Sequence, residues 1–344
     1  MKTSGSLDPA KDNSLDPAKD KLENKPTQKL SIQKVSTLGG FIAGAVAACG
    51  AVTFTNPIEL VKTRMQLQGE LLEAARASIV YKNPFQALVL IFRTEGIRGL
   101  QQGLTAGYLY QIMLNGSRIG FYEPCRYYLT KLFLPSTLKD GHPPPQNMPI
   151  NVCSGFISGG IGSVIANPFF LIKTRMQSYT KTSHVVGQQT HYKNVFEGIS
   201  KIVRTEGLKG LFRGYDSAIL RSGVGSSAQL PLYFLAKLEL VKAKLIDGVS
   251  TTSNLICSSL AGLGVAVVMN PFDVVLTRVY NQKGNLYKGS IDCLAKTIRY
   301  EGFPALYKGF IAQTVRVAPH TILTLTFMEY CMLGVEMIER RFTS

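Results

Sequence analysis

The six cysteines of this chain form no C-x-x-C pair, and none stands near a cluster of histidines. Cys49, Cys125, Cys153, Cys257, Cys293 and Cys331 are scattered, which argues against both a zinc site and a disulfide framework. They read as small residues in a reducing or neutral setting. No nucleophile–base set and no metal cluster is visible, so neither an enzyme nor a cofactor is expected. Tryptophan is absent, and the first 30 residues contain neither an arginine nor an apolar run. That stretch mixes Lys with Asp and Glu and writes "SLDPAKD" twice, at 6–12 and 14–20, so residues 1–33 are expected to be disordered. It resembles neither a secretory signal nor a typical transit peptide, and targeting information is expected in the body of the chain. Acids are scarce beside bases: 22 Asp and Glu against 38 Lys and Arg leave a net charge of +16. Such a chain attracts nucleic acid, an anionic membrane surface or anionic solutes. Its bases are spread over several loops and form no compact patch, so nucleic acid is not expected as a partner.

What the sequence has is repetition. "NPIELVKTRMQ" at 56–66 returns as "NPFFLIKTRMQ" at 167–177 and "NPFDVVLTRVYNQ" at 270–282, with Pro57, Pro168 and Pro271 spaced 111 and 103 residues apart. A second phrase follows each time: "RTEGIRGLQQG" ending at Gly103, "RTEGLKGLFRG" at Gly214 and "RYEGFPALYKG" at Gly309. The repeats are set at 34–137, 147–245 and 250–344. An array of soluble domains would have this size, so hydropathy decides. Six apolar stretches run roughly over 36–64, 104–130, 150–176, 215–241, 253–279 and 310–337, each long enough for about 20 residues of hydrocarbon crossing. Small residues four apart, Gly40 with Gly44, Gly155 with Gly159 and Ser258 with Gly262, let helix backbones approach closely in lipid. Between the paired stretches lie shorter amphipathic segments such as "NVFEGISKIVRTEG", too polar to span, which are expected along one membrane surface. An even number of spans puts both termini on the opposite side.

Each repeated phrase sets a proline inside a helical pattern, where it removes a backbone bond and kinks the helix. In the first copy an acid, Glu59, follows two residues later and a base, Lys62, three after that. With threefold pseudosymmetry each acid can meet the base of the next helix, closing one end of a central cavity with a ring of ion pairs. Polar groups inside a membrane are costly and usually face such a cavity.

The pattern P-x-[D/E]-x-x-[K/R], followed by E-G and an aromatic-basic-Gly triplet, resembles the mitochondrial carrier family over nearly everything after residue 35. The resemblance implies an all-α membrane protein. Six tilted transmembrane helices would stand in three pseudo-threefold repeats with three short surface helices. It implies alternating access across the mitochondrial inner membrane, both termini toward the intermembrane space, cardiolipin against the surface helices and a monomer. It places the ring on the matrix side, with Glu59 facing Lys173 and Asp273 facing Lys62. The remaining acid and base slots hold Phe170 and Leu276, so both charges of that pair are lost together and no lone charge stays buried. Gln66 and Gln177 match the family's brace positions, with Tyr280 in the third place.

A second ring is expected at the other mouth, from Glu123 and Arg126 with Lys237 and Glu329: Glu123 is set against Lys237, Glu329 against Arg126, and Phe234 faces Cys331 as a second matched loss. Seven residues after Gly103, Gly214 and Gly309 come Tyr110, Arg221 and Arg316, at positions that contact substrate in the family, and Arg118 lies two helical turns beyond Tyr110. The expectation is a cavity holding three guanidiniums with no matched acid, suited to the oxygens of a small dianion. The stretches "ILRSGVGSSAQLP", with Ser222 and Gln229, and "VRVAPHTI", with His320 one turn after Arg316, resemble the oxaloacetate and sulfate branch of the family. An oxoglutarate/malate-type dicarboxylate exchanger is the neighbouring alternative, and a carrier-like scaffold that no longer transports is the alternative of another class. His320 is the candidate for carrying a proton with the anion.

Overall fold

The computed structural model describes residues 37–70, 80–135, 147–182, 185–187, 189–243, 245, 250–282, 284 and 286–343. The N-terminal segment with the doubled "SLDPAKD" lies outside them. The described residues form helices and no strand: α1 (Thr37–Leu67), α2 (Pro84–Leu100), α3 (Leu104–Phe133), α4 (Met148–Ser178), α5 (Val195–Leu211), α6 (Tyr215–Lys242), α7 (Thr251–Asn281), α8 (Ser290–Glu301), a 3-10 turn (Phe303–Tyr307) and α9 (Phe310–Thr343). Helices α1, α3, α4, α6, α7 and α9 have 28 to 34 residues. At about 1.5 Å per residue each exceeds the roughly 30 Å of a hydrocarbon core.

Apolarity is uneven among the six long helices. The spans 39–67, 148–178, 256–281 and 303–339 reach mean hydropathies of 1.5, 1.5, 1.7 and 1.4 and are apolar enough to cross by composition alone. Helices α3 and α6 are as long but carry Arg118, Glu123 and Arg126, and Asp216, Arg221, Lys237 and Glu239. Charge at that density is tolerated on a helix that turns one face to a polar interior.

The long helices form a closed circuit, α1 beside α3, then α4, α6, α7, α9 and back to α1. Small residues make the seams close: a Cβ at Gly50 would stand 2.8 Å from the Phe327 ring, and one at Gly223 would overlap Phe156. Helices α1, α4 and α7 also converge on one another. Around their converging ends, each surface helix buries one face on its own repeat. Ala87 and Ile91 of α2 meet Leu60, Val61 and Leu67; Val195 and Ile202 of α5 meet Leu171 and Ile172; Cys293 of α8 meets Val275 and Val279. Burial pushes the Cys293 thiol up to about 12. Gly103, Gly214 and Gly309 open α3, α6 and α9 with φ of 76°, 75° and 76°, which explains the glycine closing each second phrase.

Candidate functional site

The site is built on the three prolines. Asn56, Asn167 and Asn270, each just before its proline, donate through their side-chain amides to Leu100 O (3.1 Å), Leu211 O (2.9 Å) and Leu306 O (2.7 Å). Every kink is thereby tied to the turn that starts the next long helix. Pro57 leaves Thr53 O without its helical donor, and the Gln101 side chain supplies one at 3.0 Å. The asparagines were not singled out from the sequence, although "NP" stands in all three phrases.

One turn beyond the kinks, Lys173 Nζ lies 2.8 Å from Glu59 Oε1, joining α4 to α1, and Lys62 Nζ lies 2.8 Å from Asp273 Oδ2, joining α1 to α7. Phe170 and Leu276 complete the circuit in one apolar cluster; Tyr110 stacks on Phe170 at 4.6 Å and Tyr280 meets it edge-on at 5.4 Å. Under this layer Gln66 accepts from Thr277 (2.8 Å), Gln177 accepts from Thr63 (3.0 Å) and donates to Asn56 (3.1 Å), and Tyr280 donates to Asn167 (2.6 Å). Three further arginines hold the layer from outside. Arg64, Arg175 and Arg278 bind Glu95, Glu206 and Glu301 at 2.9, 3.1 and 2.9 Å, and their Nε groups donate to Gln177 O, Tyr280 O and Gln66 O of the neighbouring long helix. The sequence carries this signal, a "TR" in each first phrase and the "EG" of each second, but spacing alone does not show that the two meet.

The cavity side corrects one expectation. The arginines are not free of acids: Arg221 Nε donates to Asp273 Oδ1, and Arg316 lies 3.8 Å from Glu59 Oε2. The ring acids use one oxygen on a lysine and turn the other toward the cavity, where a bare guanidinium would otherwise remain costly. Glu59 Oε2 and Arg316 Nε are both buried without a hydrogen-bond partner. Arg118 stands two turns further along α3, exposed, with its stem against Gly162 of α4. A small cavity lies among Tyr110, Phe170, Leu276, Tyr280, Arg221 and Ser222, and the Ser222 hydroxyl is 2.6 Å from that of Ser163. His320 Nδ1 is 3.3 Å from Thr55 Oγ1. That hydroxyl also bonds Ala51 O, at 2.9 Å. The side chain of Gln229 lies outside the described residues.

The other mouth corrects a second expectation. Glu123 turns to Arg126 on its own helix (2.9 Å) and not across to Lys237, and Glu329 is exposed. A second pair at this end, Glu239 with Lys242, also lies within one helix. The two ion pairs that join different long helices through the ring are thus at the proline end.

A family model described as "Mitochondrial carrier protein" matches residues 33–133, 144–244 and 247–336. The chain belongs to the mitochondrial carrier family. This carrier is 58% identical over 320 residues to the mitochondrial oxaloacetate transport protein of Saccharomyces cerevisiae, covering 93% of this chain and 96% of that one. It is 50% identical over 307 residues to the Schizosaccharomyces pombe protein of the same name, covering 89% and 92%. To the mitochondrial citrate transporter E of Aspergillus niger it is 46% identical over 311 residues, covering 90% and 97%. As a member of this family the carrier is a multi-pass transport protein of the mitochondrial inner membrane. Its geometry offers a polar interior closed at one end by two ion pairs and one apolar contact, with Arg221 bonded to one ring acid and Arg316 3.8 Å from the other.

Proposed function

We propose that the carrier moves small dianions, oxaloacetate and sulfate foremost, across the inner membrane by alternating access. The observation that carries this reading is the double use of Asp273 and Glu59, each shared between a ring lysine and a cavity arginine. A dianion reaching that level offers Arg221 and Arg316 the carboxylate or sulfate oxygens that their planar forks bind well. Two unit charges about 4 Å apart at an effective dielectric near 20 attract by about 4 kcal/mol before desolvation. The solute can therefore exchange on even terms with the acids. Once the arginines turn to it, each acid keeps only its lysine, and the ring is easier to part. The third contact, Phe170 on Leu276, holds no ion pair, so this gate has less to break than a ring of three.

The ring faces the matrix and both termini face the intermembrane space. Exposed apolar residues on the surface helices, Phe85, Phe196 and Ile291, meet lipid there, with cardiolipin headgroups beside them, and the carrier works as a monomer. A dianion entering alone works against about 2.3 kcal/mol per charge per 100 mV. A proton carried on His320, one turn from Arg316, would offset one of the two charges.

The test is uptake of labelled sulfate into liposomes holding the purified chain, with competitors outside. Oxaloacetate and small dicarboxylates are expected to compete, neutral solutes and adenine nucleotides to have no effect. Preference for oxoglutarate over oxaloacetate would move the carrier to the oxoglutarate/malate type. Absence of uptake by correctly inserted protein would favour a scaffold.

A further inference from the structure

Leu67, Ser178 and Asn281 end α1, α4 and α7 at matched positions, each ten residues after the proline of its helix. They form the level below the braces, where the three helices converge. One short segment of the α4–α5 connection touches all three. Val186 is buried in the cluster of Leu60, Val61, Leu67 and Tyr81, which belongs to the first repeat. Gly187 adopts φ 59°, and a Cβ there would stand 2.3 Å from Asn281 Nδ2 and 3.3 Å from Leu67 Cβ. Gln189 donates to Ser178 O (3.0 Å) and Val186 O (2.8 Å) and accepts from Thr180 N (2.8 Å). Beneath the segment, the Ser178 hydroxyl donates to Asn281 Oδ1 at 2.7 Å. A segment in contact with three threefold-related helix ends lies across the axis.

We propose that Val186, Gly187 and Gln189 form a strap across the exit below the ring, a second barrier that must lift before a solute passes. Calling this exit the matrix mouth rests on the function proposed above; the strap itself does not. Its construction suits release. One valine anchors it by burial, one side-chain amide fixes its turn, and glycine both accepts the left-handed backbone and allows the close approach. When the ends of α1, α4 and α7 separate, the contacts to Leu67, Ser178 and Asn281 cannot all persist, so the strap favours the closed state.

The full chain with Leu67→Cys and Gly187→Cys tests this. The two Cβ atoms would be 3.3 Å apart, close to the usual 3.5–4.5 Å of a disulfide. Reduced, the double variant, in which the end of the Asn281 side chain must swing aside for the new Cβ, is expected to carry sulfate; oxidised, at least tenfold less than when reduced, with recovery on reduction and no such response in the parent or in Gly187→Cys alone. An oxidised, cross-linked protein that transports at the reduced rate overturns the strap. A second measurement needs no transport. In liposomes, Ser178→Cys is labelled from the exit side with an impermeant maleimide and quantified by peptide mass spectrometry. Adding Gln189→Ala should speed labelling at least threefold, and an unchanged rate overturns the proposal. Loss of sulfate uptake in every form, parent included, would count against the proposed function, while the labelling ratio would still decide the strap.

Discussion

Phe170→Asp puts a carboxylate into the one contact of the ring that has no ion pair. Its neighbours are Leu276, buried in the same cluster, and the rings of Tyr110 at 4.6 Å and Tyr280 at 5.4 Å. An unpaired buried charge costs about 3–5 kcal/mol, and the lost stacking adds about 0.5–1.5 kcal/mol. Lys173 Nζ stands 5.9 Å from the Phe170 ring, but it already binds Glu59. Sharing it at about 6 Å and an effective dielectric near 20 returns at most about 3 kcal/mol. With that return in full, the closed ring is still weakened by roughly 0.5–3.5 kcal/mol, a shift of about 2- to 400-fold in its population. Sulfate uptake into liposomes, normalised to inserted protein, should fall steeply. Leu276→Arg alone should fail as well. Together they would restore the pair that the other two contacts have, with a coupling of about 2–3 kcal/mol between neighbours, so uptake should recover at least about tenfold over either single variant. If the double variant shows only the product of the two single defects, Phe170 and Leu276 do not form one contact of the gate.

Arg221→Ala leaves Asp273 with Lys62 alone and removes one arm of the dianion site, so uptake should drop about 100-fold, or roughly 3 kcal/mol, with Arg221→Lys retaining part of it. Gly214→Ala forces a side chain into positive φ, 2.9 Å from the Tyr280 ring, and should lower the melting temperature in detergent, by about 1–2 kcal/mol from the backbone alone. Cys293, buried and pushed up to about 12, stays protonated at pH 8 and should resist maleimide in the folded carrier while reacting after denaturation. If a proton travels with the anion on His320, the parent takes up sulfate faster from acidic medium, and His320→Gln should flatten that profile while keeping its rate at pH 8.

Matched spacing made the ring legible. Glu59, Lys62, Lys173 and Asp273 sit at fixed distances from three prolines, so their level in the bundle follows from the chain alone. The paired loss at Phe170 and Leu276 is legible for the same reason. The partners of Arg221 and Arg316 were not. A long flexible side chain chooses among acceptors that only tertiary packing brings near, and the second oxygen of each ring acid is such an acceptor. Glu123 shows the same limit: it pairs with the i,i+3 arginine of its own helix. The polarity of α3 and α6 was visible residue by residue but hidden when each stretch was averaged. The segment at Val186 carries no repeat and no periodicity, and its place across the three helix ends arises only from the fold.

Whether a dianion is carried by displacing the ring acids from the cavity arginines is decided by one comparison. Initial rates of labelled oxaloacetate uptake are measured for the parent and Arg316→Ala in liposomes of equal protein content, with melting temperature as the control for folding. Saturable uptake is expected from the parent and a loss of at least about 100-fold from the variant, near 3 kcal/mol, at an unchanged melting temperature. Uptake by a well-folded Arg316→Ala at the parent rate would contradict it.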